Sequence, residues 1–296
     1  MKKLIFEGSG VALVTPMKDD GSVDYEVLDE LIEFHIANGT DAIIACGTTG
    51  ECAVLSHDEH CDVVKFVVDK VNKRIPVIAS SGSNDTRYAL ELSRSMQELG
   101  ADGLLMVTPY YNKTSQAGLV KHYTYIADRV DLPIIVYNVP SRTGCNIKPE
   151  TYLELSKHPN INATKEANGD ISSVARTIAL CGENLHVYSG NDDQTLPMLT
   201  LGGKGVISVL ANILPGVMHK LCADYFAGDI ASSRDAFLKY IELMQAMFMD
   251  VNPIPVKEAM KILGFKSGDC RLPLTGMSEE ALLKLTAIMK KYNLVK

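Results

Sequence analysis

A lysine closes a run that reads as a buried strand, Ile161-Asn162-Ala163-Thr164-Lys165. An amine taken out of water loses affinity for its proton, and the neutral form attacks a carbonyl to give an imine. The plainer reading is a snorkelling lysine paired with its neighbour Glu166. Tyr137 ends a second apolar run, and its phenol could carry protons for an imine-forming amine. A core tyrosine with a bonded hydroxyl is the commoner fate of such a residue. Thr48 and Thr49 sit between Gly47 and Gly50. Their hydroxyls and backbone N–H groups suit a carboxylate, or they simply satisfy a tight turn. Arg142 offers a planar fork that grips a carboxylate with two bonds, or else is a solvated loop charge.

Other polar groups point less sharply. His57 and His60 lie three apart with Asp58, Glu59 and Cys61 close by, which reads as a solvated first helical turn rather than a metal site. Asp192 and Asp193 read as acids stabilising a helix N-terminus. Gly202-Gly203-Lys204-Gly205 lacks the spacing of a phosphate loop and reads as a tight αβ turn. Seven widely spaced cysteines with no Cys-x-x-Cys read as reduced thiols rather than a disulfide framework.

The elements that must position these residues recur along the chain. Short apolar runs at 11–14, 41–45, 76–80, 102–107, 133–137, 161–165, 185–189 and 204–209 alternate with helical patterns. Their spacing, about thirty residues, is that of a strand, a crossover helix and two loops. Ser56 and Glu59 form a capping-box pair, Pro149 suits a first helical position, and Asp170 and Gly182 suit the two ends of another helix. The strands are continuously apolar, which favours a parallel sheet covered on both faces. Eight such units predict an α/β fold, a closed (β/α)8 TIM barrel over residues 1–227. From residue 228 to 296 the pattern is helical only, with helices expected at 231–249, 255–263 and 278–292 in an extension packed on the barrel. In such a barrel the chemistry gathers at the C-terminal strand ends, where Thr48, Thr49, Tyr111, Tyr137, Arg142, Lys165, Gly190 and Ile207 all fall.

Composition narrows the class. The chain has 296 residues and a net charge of −7, which argues against a chain built to coat nucleic acid or an anionic membrane. Glu7 and Gly8 break the N-terminal apolar run too early for a signal peptide, and no stretch is apolar enough to span a bilayer. A cytoplasmic protein is expected.

Several segments together resemble the pyruvate-dependent class I aldolases, and among them the dihydrodipicolinate synthase family. They are Gly10-Val11-Ala12-Leu13-Val14-Thr15-Pro16, Gly47-Thr48-Thr49-Gly50-Glu51, Pro109-Tyr110-Tyr111-Asn112, Tyr137-Asn138-Val139-Pro140-Ser141-Arg142-Thr143-Gly144, Lys165-Glu166-Ala167 and Gly205-Val206-Ile207-Ser208. The resemblance implies that Lys165 forms a Schiff base with pyruvate and that Tyr137, Thr48 and Tyr111 form a hydroxyl relay. It implies that Tyr111 enters a neighbouring subunit's site and that Thr49 holds the pyruvate carboxylate. Arg142 would bind the carboxylate of aspartate semialdehyde, and Gly190 and Ile207 would line the site through backbone groups. No metal or organic cofactor is implied, because the imine is itself the electron sink. The family usually forms a homotetramer, a dimer of dimers. Its relatives with the same imine chemistry include N-acetylneuraminate lyase and keto-deoxy-sugar-acid aldolases. The paired threonines and Arg142 favour the synthase. An allosteric lysine pocket is implied near Cys52, Ala53, His57, His60, Asn84, Tyr88 and Tyr110. Tyr88 stands where the lysine-sensitive form has a glutamate, so weak or absent lysine inhibition is expected.

Overall fold

The structure, a computed structural model, describes residues 2–295. Eight parallel strands close into one barrel in chain order. They are β1 (Gly8–Ala12), β2 (Ala42–Ala45), β3 (Val77–Ser80), β4 (Gly103–Val107), β5 (Ile134–Asn138), β6 (Ile161–Glu166), β7 (His186–Ser189) and β8 (Gly205–Ser208). Around them run α1 (Tyr25–Ala37), α2 (His57–Val71), α3 (Thr86–Glu98), α4 (Gln116–Ala127), α5 (Pro140–Thr143), α6 (Pro149–Leu155), α7 (Ile171–Cys181), α8 (Thr195–Thr200) and α9 (Pro215–Phe226). Three more helices follow, α10 (Ile230–Ala246), α11 (Ile254–Ile262) and α12 (Glu279–Lys291), with α10 packed on α9 and α12 packed on both others. None among the described residues is long and apolar enough to cross a membrane.

The helix ends follow local chemistry. Ser56 accepts from the Glu59 N–H while the Glu59 carboxylate accepts from the Ser56 N–H, so both halves of the capping box form. Asp170 caps α7 through the Ser173 N–H, and Gly182 ends it. Gly202 to Gly205 make the tight turn between α8 and β8, with the Gly203 N–H donating to the Met198 carbonyl.

The first strand begins three residues before the apolar run that predicts it. The run 11–14 hides the start because the two leading glycines carry no β-forming side chain. Packing supplies the reason for glycine here. β1 and β8 meet at Gly8 and Gly205, and a Cβ on Gly205 would lie 1.8 Å from the Gly8 carbonyl oxygen. The closing seam of the barrel therefore has no room for a side chain.

Two apolar layers result. One fills the space between strands and helices. The other fills the barrel itself, with Ile44, Ile78, Leu105, Ile135, Ala163 and Ile207 stacked inside. Phe6 and Tyr188 stack beneath that layer at 4.3 Å between ring centroids, and the Tyr188 hydroxyl donates to the Phe6 carbonyl. This pair fills the N-terminal end of the barrel layer, and the cavity lined by the polar residues lies at the opposite end.

Candidate active site

The registers of β5 and β6 place Tyr137 beside Lys165. The Lys165 amine lies over the Tyr137 ring, 4.4 Å from its centroid. Lys165 is 5 % exposed, and burial brings its ammonium down to about 8, with the Asp192 carboxylate opposing and the Arg142 charge reinforcing the fall. A sizeable neutral fraction is thus present near pH 8. Burial pushes the Tyr137 phenol up to about 12, against the pull of Arg142 and the Thr48 hydroxyl, so it stays protonated and can donate. A Cβ on Gly190 would sit 3.1 Å from the Lys165 Cε and 2.8 Å from the Ala167 Cβ. Glycine at 190 leaves the lysine arm its path.

Thr48 and Thr49 occupy the turn after β2. Its closing bonds run from the Glu51 N–H to the Thr48 carbonyl (3.1 Å) and from the Thr15 hydroxyl to the Gly50 carbonyl (2.7 Å). Arg142 lies on α5, a single turn that begins at Pro140 and ends at left-handed Gly144. Its guanidinium is exposed at the rim and donates to the Asn252 carbonyl at 3.0 Å. Thr48, Thr49, Tyr137, Arg142, Lys165 and Gly190 line one cavity of about 380 Å³, deep at Lys165 and open at Arg142. That volume suits small organic acids.

The alternative reading of Lys165, an ion pair with Glu166, does not hold. Successive strand residues face opposite sides. Glu166 points outward, where it accepts from Tyr152 (2.9 Å), Asn138 (2.9 Å) and the Asn168 N–H (3.0 Å). Burial nevertheless pushes its carboxyl up to about 7. Ile207 is buried inside the barrel and does not line the cavity. Tyr111 stands away from this cavity, 93 % exposed and at φ 65° in the left-handed region.

The residues expected around an effector pocket differ in their surroundings. Tyr88 packs edge-on against His57 at 5.9 Å between rings, and the His57 ring meets Cys61. Tyr110 is exposed, Ala53 is exposed, and Cys52 is half-buried. The Asn84 carbonyl accepts from Asn112 at 3.0 Å. His60 corrects the reading of a solvated first turn. It is buried, its Nε2 lies 2.8 Å from the Ser80 carbonyl, and burial brings its imidazole down to about 4. The helical face that carries Val63, Val64 and Val67 also carries residue 60, so it turns inward.

Two site residues escape sequence reasoning. Asn252, between α10 and α11, lines the cavity and donates to the Thr49 hydroxyl at 3.0 Å. Asp192 does not serve the turn it begins. It is 1 % exposed, and its Oδ2 accepts from the Val209 and Leu210 N–H groups, both at 3.0 Å, so it caps the turn after β8. Burial raises its carboxyl while the Lys165 charge opposes. The signal for Asp192 was an acid three residues past a strand end. For Asn252 it was an amide in the Asn252-Pro253-Ile254-Pro255 helix break.

The model of the dihydrodipicolinate synthetase family matches residues 5–292. A 4-hydroxy-tetrahydrodipicolinate synthase from Caldicellulosiruptor saccharolyticus is 57% identical over 276 residues, 93% of each chain. The crystal structure of dihydrodipicolinate synthase from Aquifex aeolicus is similar at a TM-score of 0.95 and 46% identity, covering 98% of this chain and 99% of that one. That of the chloride-inhibited enzyme from Acinetobacter baumannii, complexed with pyruvate, aligns at 0.96 and 43% identity, covering 99% and 100%.

Proposed function

The chain belongs to the dihydrodipicolinate synthetase family, and from that premise we propose that it condenses pyruvate with L-aspartate 4-semialdehyde to give 4-hydroxy-tetrahydrodipicolinate. This is the committed step toward diaminopimelate and lysine. The observation that carries the reading is the buried Lys165 amine, held over Tyr137 at the floor of a cavity whose walls carry carboxylate-binding groups.

The neutral amine adds to the pyruvate ketone, and water leaves to give the imine. Tyr137 and Thr48 carry protons to and from the carbinolamine oxygen. The Thr49 turn holds the pyruvate carboxylate meanwhile. Loss of a methyl proton gives the enamine, and the imine nitrogen takes the electron pair. The enamine carbon attacks the aldehyde, whose distant carboxylate rests on Arg142. The amino group of the aldehyde substrate then attacks the imine carbon, closes the ring and releases Lys165. Tyr111 supplies the third hydroxyl of the relay across a dimer, which accounts for its exposure in the single chain. Two such dimers make the working homotetramer, and the enzyme works in the cytoplasm among its soluble substrates.

A coupled assay tests this directly. NADPH consumption by the next reductase should require the protein, pyruvate and aspartate semialdehyde together. Silence from folded protein beside an active reductase would turn the reading toward the sugar-acid aldolases.

Arg142→Ala separates the two substrates. A lost charge-assisted hydrogen bond costs about 1.5–3 kcal/mol, so KM for the aldehyde should rise at least about tenfold. Borohydride should still trap the pyruvate adduct. Its pH midpoint should move upward, because removing the Arg142 cation removes one of the causes that lowers Lys165. Equal losses of adduct and aldehyde use would contradict the assignment.

Lysine should inhibit weakly or not at all. Burial raises the Tyr88 phenol above its ordinary value, so at neutral pH it offers no negative charge to an ammonium group. Inhibition at micromolar lysine in the same assay would refute this.

A further inference from the structure

The turn that carries Thr48 and Thr49 ends at Glu51, which holds φ 58° in the left-handed region without being glycine. Glu51 and Lys257 form a wholly buried ion pair, 2.5 Å between Lys257 Nζ and Glu51 Oε1, with each side chain 1% exposed. The remaining carboxylate oxygen, Oε2, accepts from the Arg271 N–H at 2.8 Å. Lys257 also donates to the Asp269 carbonyl at 3.0 Å. Arg271 in turn forks onto Glu59 and donates to the Val54 carbonyl, so the chain that follows Glu51 is tied to the tail. Five residues before Lys257, Asn252 bonds the Thr49 hydroxyl and accepts from Arg142.

Taking two charges out of water costs several kcal/mol per ion, and an apolar pair of similar size often gives equal or greater stability. Stability alone is therefore a weak reason for such a pair. Direction is a better one, because a charged pair with its other lone pairs occupied fixes one geometry. We infer that Glu51 and Lys257 are a positioning pair, through which α11 sets the attitude of the Thr48–Thr49 turn and so the site's grip on the pyruvate carboxylate. The inference rests on the aldolase reading above and deepens it. The extension is then part of how the barrel binds substrate, since residues 252–257 reach the turn from two sides and steady Arg142 as well.

The test uses three variants of the full chain, Glu51→Gln, Lys257→Met and the double replacement. Glu51→Gln keeps the size of the side chain and an acceptor for the Arg271 N–H. For each, thermal unfolding reports the fold, and intact mass after borohydride reduction reports the trapped fraction against pyruvate concentration. A misplacement of about 1 Å can cost on the order of 100-fold, so each single variant should raise the half-saturating pyruvate concentration about tenfold or more. The maximal trapped fraction should stay near that of the unaltered protein. The double variant should fall short of the product of the singles, because both remove one interaction. If Lys257→Met does not fold, Glu51→Gln decides alone. Half-saturation at the unaltered value, with or without a lower unfolding temperature or trapped fraction, overturns the inference and leaves the pair a structural one. Failure of the unaltered protein to trap pyruvate at all would instead overturn the aldolase reading, and this inference with it.

Discussion

Replacement of Lys165 by methionine abolishes turnover, by on the order of 10⁴-fold or more, and leaves nothing for borohydride to trap. Methionine matches the unbranched stem, so the passage beside Gly190 and the floor over Tyr137 stay filled. What disappears is the nitrogen. Among the described residues no other lysine lines the cavity, so none of them is placed to take over imine formation. The loss is chemical rather than structural, because a desolvated amine contributes little to folding. Unfolding temperature should hold or rise. Kinetics, intact mass after reduction and thermal unfolding measure the three quantities. A full-stoichiometry adduct on the variant would move the imine to a different lysine and remove the central assignment.

Tyr137→Phe is the second large effect. The ring remains, and with it the surface on which the Lys165 amine rests. Only the hydroxyl goes. Burial holds that phenol near 12, so over the working range it is a donor and passes its proton only in concert with a partner such as Thr48. Loss of a positioned proton carrier costs about 10²- to 10⁴-fold in kcat. Pyruvate affinity should change far less, because the Thr49 turn proposed to hold the carboxylate is untouched. Adduct formation should slow while its final extent recovers on long incubation. A kcat loss below tenfold would show that water or Thr48 serves as well, and Tyr137 would revert to a wall of the cavity.

The barrel was legible because its strands are continuous apolar runs of even spacing, and a parallel sheet covered on both faces writes itself that way. Lys165, Tyr137, Thr48 and Thr49 were legible for the same reason, as polar residues where apolar runs end. The first strand was read three residues late because its leading glycines, needed for close approach to Gly205, look like loop. Asn252, Lys257 and Asp192 were not legible as partners of the site. Lys257 meets Glu51 across 206 positions, and Asn252 meets Thr49 across 203. Local periodicity carries no information about such pairings. A lysine one helical turn before Met260 was the only trace of the first. His60 was misread because the acids around it suggested solvent, while the helical period placed it with the valines.

The Phe6–Tyr188 stack has a consequence for traffic. A barrel stoppered at its base is a blind well, and everything that enters must leave by the same mouth. Lys165 waits at the bottom and Arg142 at the lip. The keto acid must therefore descend first, and the water it sheds must climb out before the aldehyde settles above it. An aldehyde that arrives early becomes a cork, and excess of it should slow the enzyme by competing with pyruvate for passage. The finished ring, once released from the amine, would leave by the same mouth, past Arg142.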